Sequence, residues 1–594
     1  MPKSAVARGG GLQAYGIVSP ALGLKDDLPS ILVKDRFSID GINTVDVFYR
    51  RGMVERVTKR LAEFSQTLPD NVLLIDQFWK KDQTFKLMVA TKRDLAYRDA
   101  AGNRFVYVTP KYSTGTIQVV NGSAVVTGSS TAWTTSGLAA GDFITIGTTY
   151  STDDTWYEIL TVDSDTQITL TVVYAQANGG PGLAYQARKT YNGTATDYWR
   201  AATFNLTDEW IATNGIDNLQ VYTGSGQAAD VSGSPPKCRG LTVYENYLVL
   251  FDITSGGNRF PQRFQWPNLA TTTGWATGDA GSADIDGVGS IKAAGRIQGF
   301  LIFLSDRSID KVWLTTAATV FERRRIADGI GCDAGGSVIQ THRGIYFHAS
   351  DNTFRFFDGF SWPIISSNVR ETAINVHPTY LPNIQGHFNE EYQLCLWAIP
   401  TTDSSGRLDR VLLYDNEEKT WGVIDVDVVC FGAYEQETTY TWNTLPFSTW
   451  DSWAWDRWDS RFGLANSPID LIGGYDGKVY RFFGAETDDG TAYTGKVTLD
   501  VDLGSKDRPH LRKRVLYIDV YAMREGSGTL SLLASPDYAG FQSLGSVSLD
   551  GDGEILKQRL VVDFSAKNFL FQASGANHFR FIGAVFWFVE QGYR

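Results

Sequence analysis

The sequence is poor in several residue types, and each shortage argues against a class of protein. Methionine and cysteine each occur only four times, and the cysteines, at positions 238, 332, 395 and 430, form no CxxC pair. Such spacing argues against a disulfide scaffold and a structural zinc site, so we predict four buried thiols in a protein made in a reducing cytoplasm. The chain also lacks an 18-residue apolar run, and its first twenty residues lack the apolar core of a signal peptide. We therefore expect neither a membrane-spanning helix nor secretion by a signal peptide.

Motifs that mark common enzymes are also missing. The sequence has no GxxxxGK[ST] phosphate loop and no GxGxxG opening a helix, and none of its six histidines stands in HxH or HExxH spacing. Paired acids such as Asp284 and Asp286 fit turns between strands better than a catalytic pair, although a triad assembled from distant residues stays open. We predict no catalytic residue, no cofactor and no metal site, and hence a protein that is not an enzyme.

The charge balance limits the choice of partners. Lys and Arg number 54 against 66 Asp and Glu, which gives a formal charge of −12 and a pI near 5.1. An acidic surface does not attract nucleic acid over its whole extent. It is compatible with a channel wall that repels passing DNA, and equally with charge that only keeps the protein dissolved.

Glycine (59) and aromatic residues (27 Tyr, 33 Phe, 17 Trp) are abundant, which favours many short strands and tight turns. We therefore predict an all-β fold. One segment differs, because Met53, Val54, Val57, Leu61 and Phe64 recur at three- and four-residue steps, which predicts a short helix.

A loose repeat organises the middle of the chain: an apolar strand, a polar turn and an aromatic strand recur at uneven spacing. Stacking such units radially would bury their sheet faces, as in a β-propeller, whereas unrelated hairpins in a sandwich are the alternative. Residues 113–187 contain no Lys or Arg, which indicates a β-module inserted into the main body. The predicted domains are an N-terminal arm with a short helical segment (1–65), strands of a first propeller blade (66–113), a small inserted β-domain (114–187), the remaining blades with a Trp-rich loop at 441–464 (188–490), and a β-sandwich-like C-terminal domain (491–594).

Two groups of residues are candidates for an interface or a plug. Trp442, Trp450 and Trp458 lie eight residues apart, with Trp453 and Trp455 between them. So many aromatic side chains favour packing against a partner, with a sugar-binding platform as the alternative. The second group is the basic run Arg323, Arg324 and Arg325, for which the alternatives are phosphate contact, a salt bridge at a ring interface and a solvated strand edge; Arg50–Arg51 is another basic patch.

These residues together resemble the tail nozzle, or tail tubular protein B, family of bacteriophages. The resemblance lies in three parts of the sequence: GLKDDLPSILVKDRFSIDGINTVDVFYRRGMVERV near the start, the repeat segments YDNEEKTW and YDGKVYRF, and the final segment FRFIGAVFWFVEQGYR. It implies a virion protein that forms a hexameric ring, with propellers around a channel that retains genomic DNA and conducts it during ejection. Implied partners are further copies of the chain, the tail adaptor or portal-proximal proteins, and tail fibres or spikes. The alternative is a host-surface carbohydrate-binding or depolymerising tail protein that uses the Trp array or the insert.

Overall fold

The computed structural model of the protein describes residues 12–28, 37–39, 44–99, 101, 103–287, 289–315, 319–435, 468–503 and 511–591. The chain divides into two compact units. The first unit takes residues 1–61, 336–428 and 481–594, and the second takes residues 62–335 and 429–480. The described residues are almost entirely β-structure in antiparallel sheets, which confirms the predicted all-β fold class.

The second unit contains a series of four-stranded sheets whose strands follow one another along the chain. Such up-and-down sheets are the blades of β-propellers, so the body is propeller-like, as predicted. Four of these sheets are complete meanders. The first meander has strands Leu74–Trp79, Phe85–Ala90, Leu95–Asp99 and Arg104–Tyr107, and the second has Arg200–Phe204, Glu209–Thr213, Gln220–Tyr222 and Ala229–Asp230. The third has Lys237–Tyr244, Tyr247–Ser255, Asn258–Trp266 and Gly281–Asp284, and the fourth has Ile291–Ile297, Phe300–Ser305, Ser308–Leu314 and Phe321–Asp328. A fifth sheet has the order Cys430–Glu435, Pro468–Gly473, Val479–Ala485 and Lys59–Ala62.

Apolar residues pack these sheets face to face in the order in which they occur. Phe78 of the first meander shares a buried cluster with Trp210 of the second. Ile211 of the second meander shares another with Leu250 of the third. The third and fourth meanders meet in a cluster rich in Phe, Tyr and Trp. Because each sheet buries one face against each neighbour, no single sheet needs a core of its own.

An eight-stranded insert follows the first meander and has a separate core. Trp133, at its centre, donates its indole N–H to the Tyr185 hydroxyl at 2.9 Å. The elements of the insert are the strands Lys111–Tyr112, Thr116–Val119, Val125–Ser129, Phe143–Ile146, Tyr157–Ser164, Gln167–Leu170, Gly179–Leu183 and Tyr185–Arg188, and the short helix Trp133–Ser136.

The first unit is built on a ten-stranded sheet. Nine of its strands lie in the order Gln385–Asn389, Leu394–Ile399, Arg410–Asp415, Trp421–Asp425, Val47–Arg50, Met53–Arg56, Arg580–Gln591, Arg512–Gly526 and Gly551–Ala566, and Gln13–Val18 pairs with Arg580–Gln591. A four-stranded sheet has the order Gly495–Val501, Phe569–Gly575, Thr529–Pro536 and Gln542–Ser548, and a three-stranded sheet has Ile339–Gln340, Ile345–His348 and Phe354–Phe357. Phe569 and Phe571 of the four-stranded sheet each lie 5.2 Å from the Phe586 ring of the large sheet, so the C-terminal part is β-sandwich-like.

Helices in the described residues are few and short. The first unit has the α-helix Arg370–Ile374 and the 3₁₀ turns Ser366–Val369 and Pro378–Asn383, and a further 3₁₀ turn spans Gly335–Ser337. None of the helices in the described part of the chain is long and apolar enough to cross a bilayer. All four cysteines are buried, as predicted, and none is joined to another in a disulfide.

The helix predicted around Met53–Phe64 is wrong. The structure has two strands there, Met53–Arg56 and Lys59–Ala62. Val54 and Val57 are buried at three-residue spacing, but Arg56 is buried too. Its guanidinium lies 4.0 Å from the Tyr493 ring and donates to the backbone carbonyl of Glu486 at 2.7 Å. A buried arginine that depends on residues more than 400 positions away leaves no helical signal in the local sequence.

Candidate functional site

The basic run predicted as an interface lies on the strand Phe321–Asp328. Arg323 forms an ion pair with Asp286, and Arg325 lies 3.3 Å from a carboxylate oxygen of Asp310. Arg324 is exposed and sits opposite Lys311 in the neighbouring strand. Two of the three guanidinium groups are thus engaged by carboxylates: Arg325 pairs within its own sheet, and Arg323 pairs with the segment that follows the third meander. A role of this run at an interface stays a prediction.

The aromatic candidates Trp442, Trp450, Trp453, Trp455 and Trp458 lie outside the described residues, in the gap between residues 435 and 468. Their role as a plug, interface or sugar platform stays a prediction.

A tight hairpin in the first unit forms the floor of a cleft of about 600 Å³. Its strands Val47–Arg50 and Met53–Arg56 are joined by Arg51 and Gly52, both with positive φ (51° and 76°), which suits a two-residue turn between twisted strands. The Glu418 carboxylate accepts the backbone N–H of Arg51 and holds this turn in place. Alternation along the hairpin buries Val47, Tyr49, Val54 and Arg56 on one face and leaves Phe48, Arg50, Met53 and Glu55 half-buried on the other.

Three aromatic rings form one part of the cleft lining. Tyr392 comes from the turn before the strand Leu394–Ile399, and its ring centroid lies 6.3 Å from that of Phe48 and 5.8 Å from that of Phe483. The Arg50 guanidinium lies over the Tyr392 ring at 5.1 Å. Burial, together with the nearby Glu391 carboxylate, raises the pKa of Tyr392, so the ring stays a neutral phenol at physiological pH. The rings offer apolar faces, and the arginine adds a fixed cation beside them.

A carboxylate with two basic partners forms another part. Glu55 Oε1 accepts from His578 Nε2 at 3.2 Å and from an Arg580 guanidinium nitrogen at 3.3 Å. Burial alone would raise the pKa of Glu55, but the hydrogen bond from His578 and the charge of Arg580 outweigh it, so the pKa is lowered. Glu55 is therefore ionised at neutral pH and fixes the positions of Arg580, the first residue of the last strand, and of His578, two residues before it.

The cleft lining is positively charged, although the whole chain is acidic. Four arginines and one glutamate line it: Arg50, Arg51 and Arg580 against Glu55, together with Arg56, whose guanidinium is buried against Tyr493. Among the described residues, Arg50 and Arg51 have no carboxylate partner for their side chains. Cationic donors beside apolar rings suit a ligand that has both an anionic group and an apolar face. The described residues contain no group of three metal-ligating side chains.

Only part of this site is predictable from the sequence. The Arg50–Arg51 patch is visible as a basic dipeptide before a glycine, and the alternation of Phe48, Arg50 and Met53 is the signal of an open strand face. Tyr392, Phe483 and His578 reach the cleft from segments hundreds of residues away. No local pattern marks them.

Comparison with known protein families gives no match, and comparison with curated protein sequences gives none either. Solved structures give distant matches. The endosialidase of phage phi92 is 11% identical with a TM-score of 0.21, over 59% of this chain and 65% of that chain. An exo-β-1,3-galactanase from Phanerochaete chrysosporium is 8% identical with a TM-score of 0.20, over 84% of this chain and 100% of that one. PorZ of Porphyromonas gingivalis is 8% identical with a TM-score of 0.24, over 66% of this chain and only 42% of its own.

These comparisons correct one expectation. The chain was predicted not to be an enzyme, but the matches include an endosialidase, an exo-β-1,3-galactanase and a glycoside hydrolase. The prediction of a non-enzymatic protein is therefore withdrawn. TM-scores this low assign neither a catalytic residue nor a substrate to this chain.

Proposed function

We propose that the chain is a bacteriophage tail protein that binds a host-surface polysaccharide. The observation that carries the proposal is the cleft, where three aromatic rings and two arginines without a carboxylate partner line one cavity. Sugars present apolar C–H faces that pack on aromatic rings, and hydroxyl or acidic groups that accept hydrogen bonds from guanidinium groups. The volume of about 600 Å³ lies in the usual range of small-ligand sites.

Calorimetry of the full-length protein with polysaccharide purified from the host surface tests this function. Tyr392→Ala removes the central ring of the cleft and is expected to weaken binding about tenfold, the size of one good aromatic contact. Phe360→Ala is the matched control, because Phe360 is an aromatic residue 77% exposed outside the cleft lining. No binding by the parent protein, or equal affinity of the Tyr392 variant and the parent, would contradict the proposal. Size-exclusion chromatography of the same polysaccharide after incubation shows whether the protein also cleaves it.

A second candidate function is a tail nozzle ring, and a different observation favours it. Consecutive four-stranded meanders pack face to face in the second unit, an arrangement suited to rigid propellers around a channel. In this proposal, copies of the chain assemble with the tail adaptor or portal-proximal proteins and carry tail fibres or spikes. Genomic DNA would pass through without sequence-specific contacts, and the formal charge of −12 would keep it from adhering.

Light scattering and electron microscopy of the purified protein test the nozzle proposal. A ring of about six copies with a central opening, in keeping with closed cyclic symmetry, is the expected result. Labelled antibody against the chain should then mark the tail of intact phage particles. A chain that stays monomeric and is absent from the tail would contradict this candidate.

A further inference from the structure

We infer that the cleft recognises the carboxylate group of an acidic sugar. The inference rests on the proposed polysaccharide-binding function and names the class of sugar that the site selects. It starts from the two guanidinium groups at the hairpin turn, those of Arg50 and Arg51.

Arginines elsewhere on this chain are commonly paired with acids. Arg514 pairs with Asp563, Arg559 with Asp519, and Arg263 with Asp284. Acids outnumber bases by 66 to 54, so partners are plentiful. Two adjacent arginines without a carboxylate partner, on the rim of a cavity, therefore mark a place where an external anion completes the pairing.

The cleft also holds the Arg50 guanidinium and the Arg51 backbone in a defined geometry. Arg50 stacks over Tyr392, which leaves the edge of its guanidinium group and its N–H donors available. The backbone N–H of Arg51 is fixed on Glu418. Because the Arg50 donors are ordered before a ligand arrives, binding through this arginine loses less side-chain entropy.

Glu55 acts as a positioning residue in this arrangement. Its ionised carboxylate holds Arg580 and His578 at 3.3 and 3.2 Å. It also repels a ligand carboxylate from that end of the cleft, so the acidic group is expected near Arg50 and Arg51 and the apolar face of the sugar near Phe48, Tyr392 and Phe483.

An acidic sugar fits the cleft better than a nucleic acid does. A protein that follows single-stranded nucleic acid needs a long positive groove with successive stacking rings. Here the two unpaired cations are neighbours on one turn, and the rings form one compact cluster. This arrangement suits one acidic group on one ring, rather than a row of phosphates.

Calorimetry with two forms of one polysaccharide tests the inference. The probes are a uronic acid-containing polysaccharide and the same polymer with its carboxylates reduced to alcohols. We expect the acidic form to bind at least tenfold more tightly, and Arg50→Gln to remove most of that preference, because a charge-assisted hydrogen bond is lost. Arg514→Gln is the control for net charge, since Arg514 is an arginine of the exposed surface outside the cleft. Circular dichroism verifies that both variants fold.

The outcomes distinguish failure of this inference from failure of the proposed polysaccharide-binding function. Preference for the acidic polymer, reduced in the Arg50 variant and kept in the Arg514 variant, supports the inference. Equal binding of the acidic and reduced polymers overturns it and leaves polysaccharide binding intact, whereas no binding of either overturns both. Competition by a short single-stranded DNA, if abolished by Arg50→Gln, assigns the cleft to nucleic acid and overturns the inference.

Discussion

Replacing Arg188 by methionine is expected to destabilise the insert severely. Arg188 ends the last strand of the insert, and Asp94 lies in the first meander; each side chain is only 1% exposed, with Nε and Oδ1 2.9 Å apart. The guanidinium group also lies over the rings of Tyr107, Phe143 and Trp156 at 4.0, 4.6 and 4.6 Å. One cation therefore ties the insert to the sheet before it.

The magnitude follows from what the substitution leaves behind. Methionine fills much of the volume, but Asp94 keeps a buried charge without its counter-ion, which costs about 3–5 kcal/mol. Lost cation–π contacts add about 0.5–2 kcal/mol. We expect a loss of about 4 kcal/mol, shown by faster hydrogen exchange in insert peptides. Arg514→Met is the control, because its pair with Asp563 is exposed to solvent and should contribute little to stability.

The pH dependence gives a second check on the same variant. Burial raises the pKa of Asp94, an effect that Arg188 opposes in the parent protein. Without Arg188, the folded state binds a proton more readily than the unfolded state, so the deficit should shrink as the pH falls from 8 towards 5. A loss below about 1 kcal/mol, or a deficit that grows as the pH falls, would refute the reasoning about a buried charge left without its partner.

Three other predictions follow from single residues. Gly233→Ala should lower the free energy of unfolding by about 3 kcal/mol, because φ is 83° and a Cβ would clash with the Thr273 carbonyl. Gly226→Ala, with φ 71° and open space around it, should lower it by only about 1 kcal/mol, and equal losses in denaturant unfolding would contradict this. Glu55→Gln should lower the free energy of unfolding by about 1–3 kcal/mol at pH 7, and by progressively less as the pH falls below 4.5, the ordinary pKa of a glutamate. The reason is that the pKa of Glu55 is lowered in the folded state, so its carboxylate stabilises the fold only while it is ionised. A loss that does not change with pH would contradict this. Burial raises the pKa of Cys238 and Cys430 to about 12, so a thiol reagent at pH 8 should label neither until denaturant is added, and rapid labelling of the native protein would contradict this.

The class of fold was predictable because it depends on short-range patterns. Alternation in segments such as Leu74–Trp79 and Phe85–Ala90, with a polar turn between them, specifies a hairpin wherever the chain places it. The face-to-face packing of successive sheets follows from the same pattern, since each apolar face needs a cover. Phe78 and Trp210 show this: they cover each other in one buried cluster although more than a hundred residues separate them in the sequence.

The hairpin at Val47–Arg56 shows where local patterns fail. Met53, Val54 and Val57 match helical spacing, but the turn at Arg51–Gly52 and the burial of Arg56 under Tyr493 favour strands. The contact that buries Arg56, and so favours a strand here, comes from Tyr493, 437 positions away in the sequence. The cleft depends on the same long-range placement, because the large sheet brings Tyr392 and His578 next to Phe48 and Glu55 from distant parts of the chain.

The two proposed functions depend on separate parts of the chain, so neither excludes the other. Every residue of the cleft lining belongs to the first unit, whereas the four complete meanders belong to the second. Loss of sugar binding in a Tyr392 variant therefore leaves the packing of the meanders untouched. A tail protein that both forms a ring and contacts the host surface would keep its assembly in such a variant while losing adsorption. Assembly and adsorption measured on the same variant would thus assign each function to its own unit.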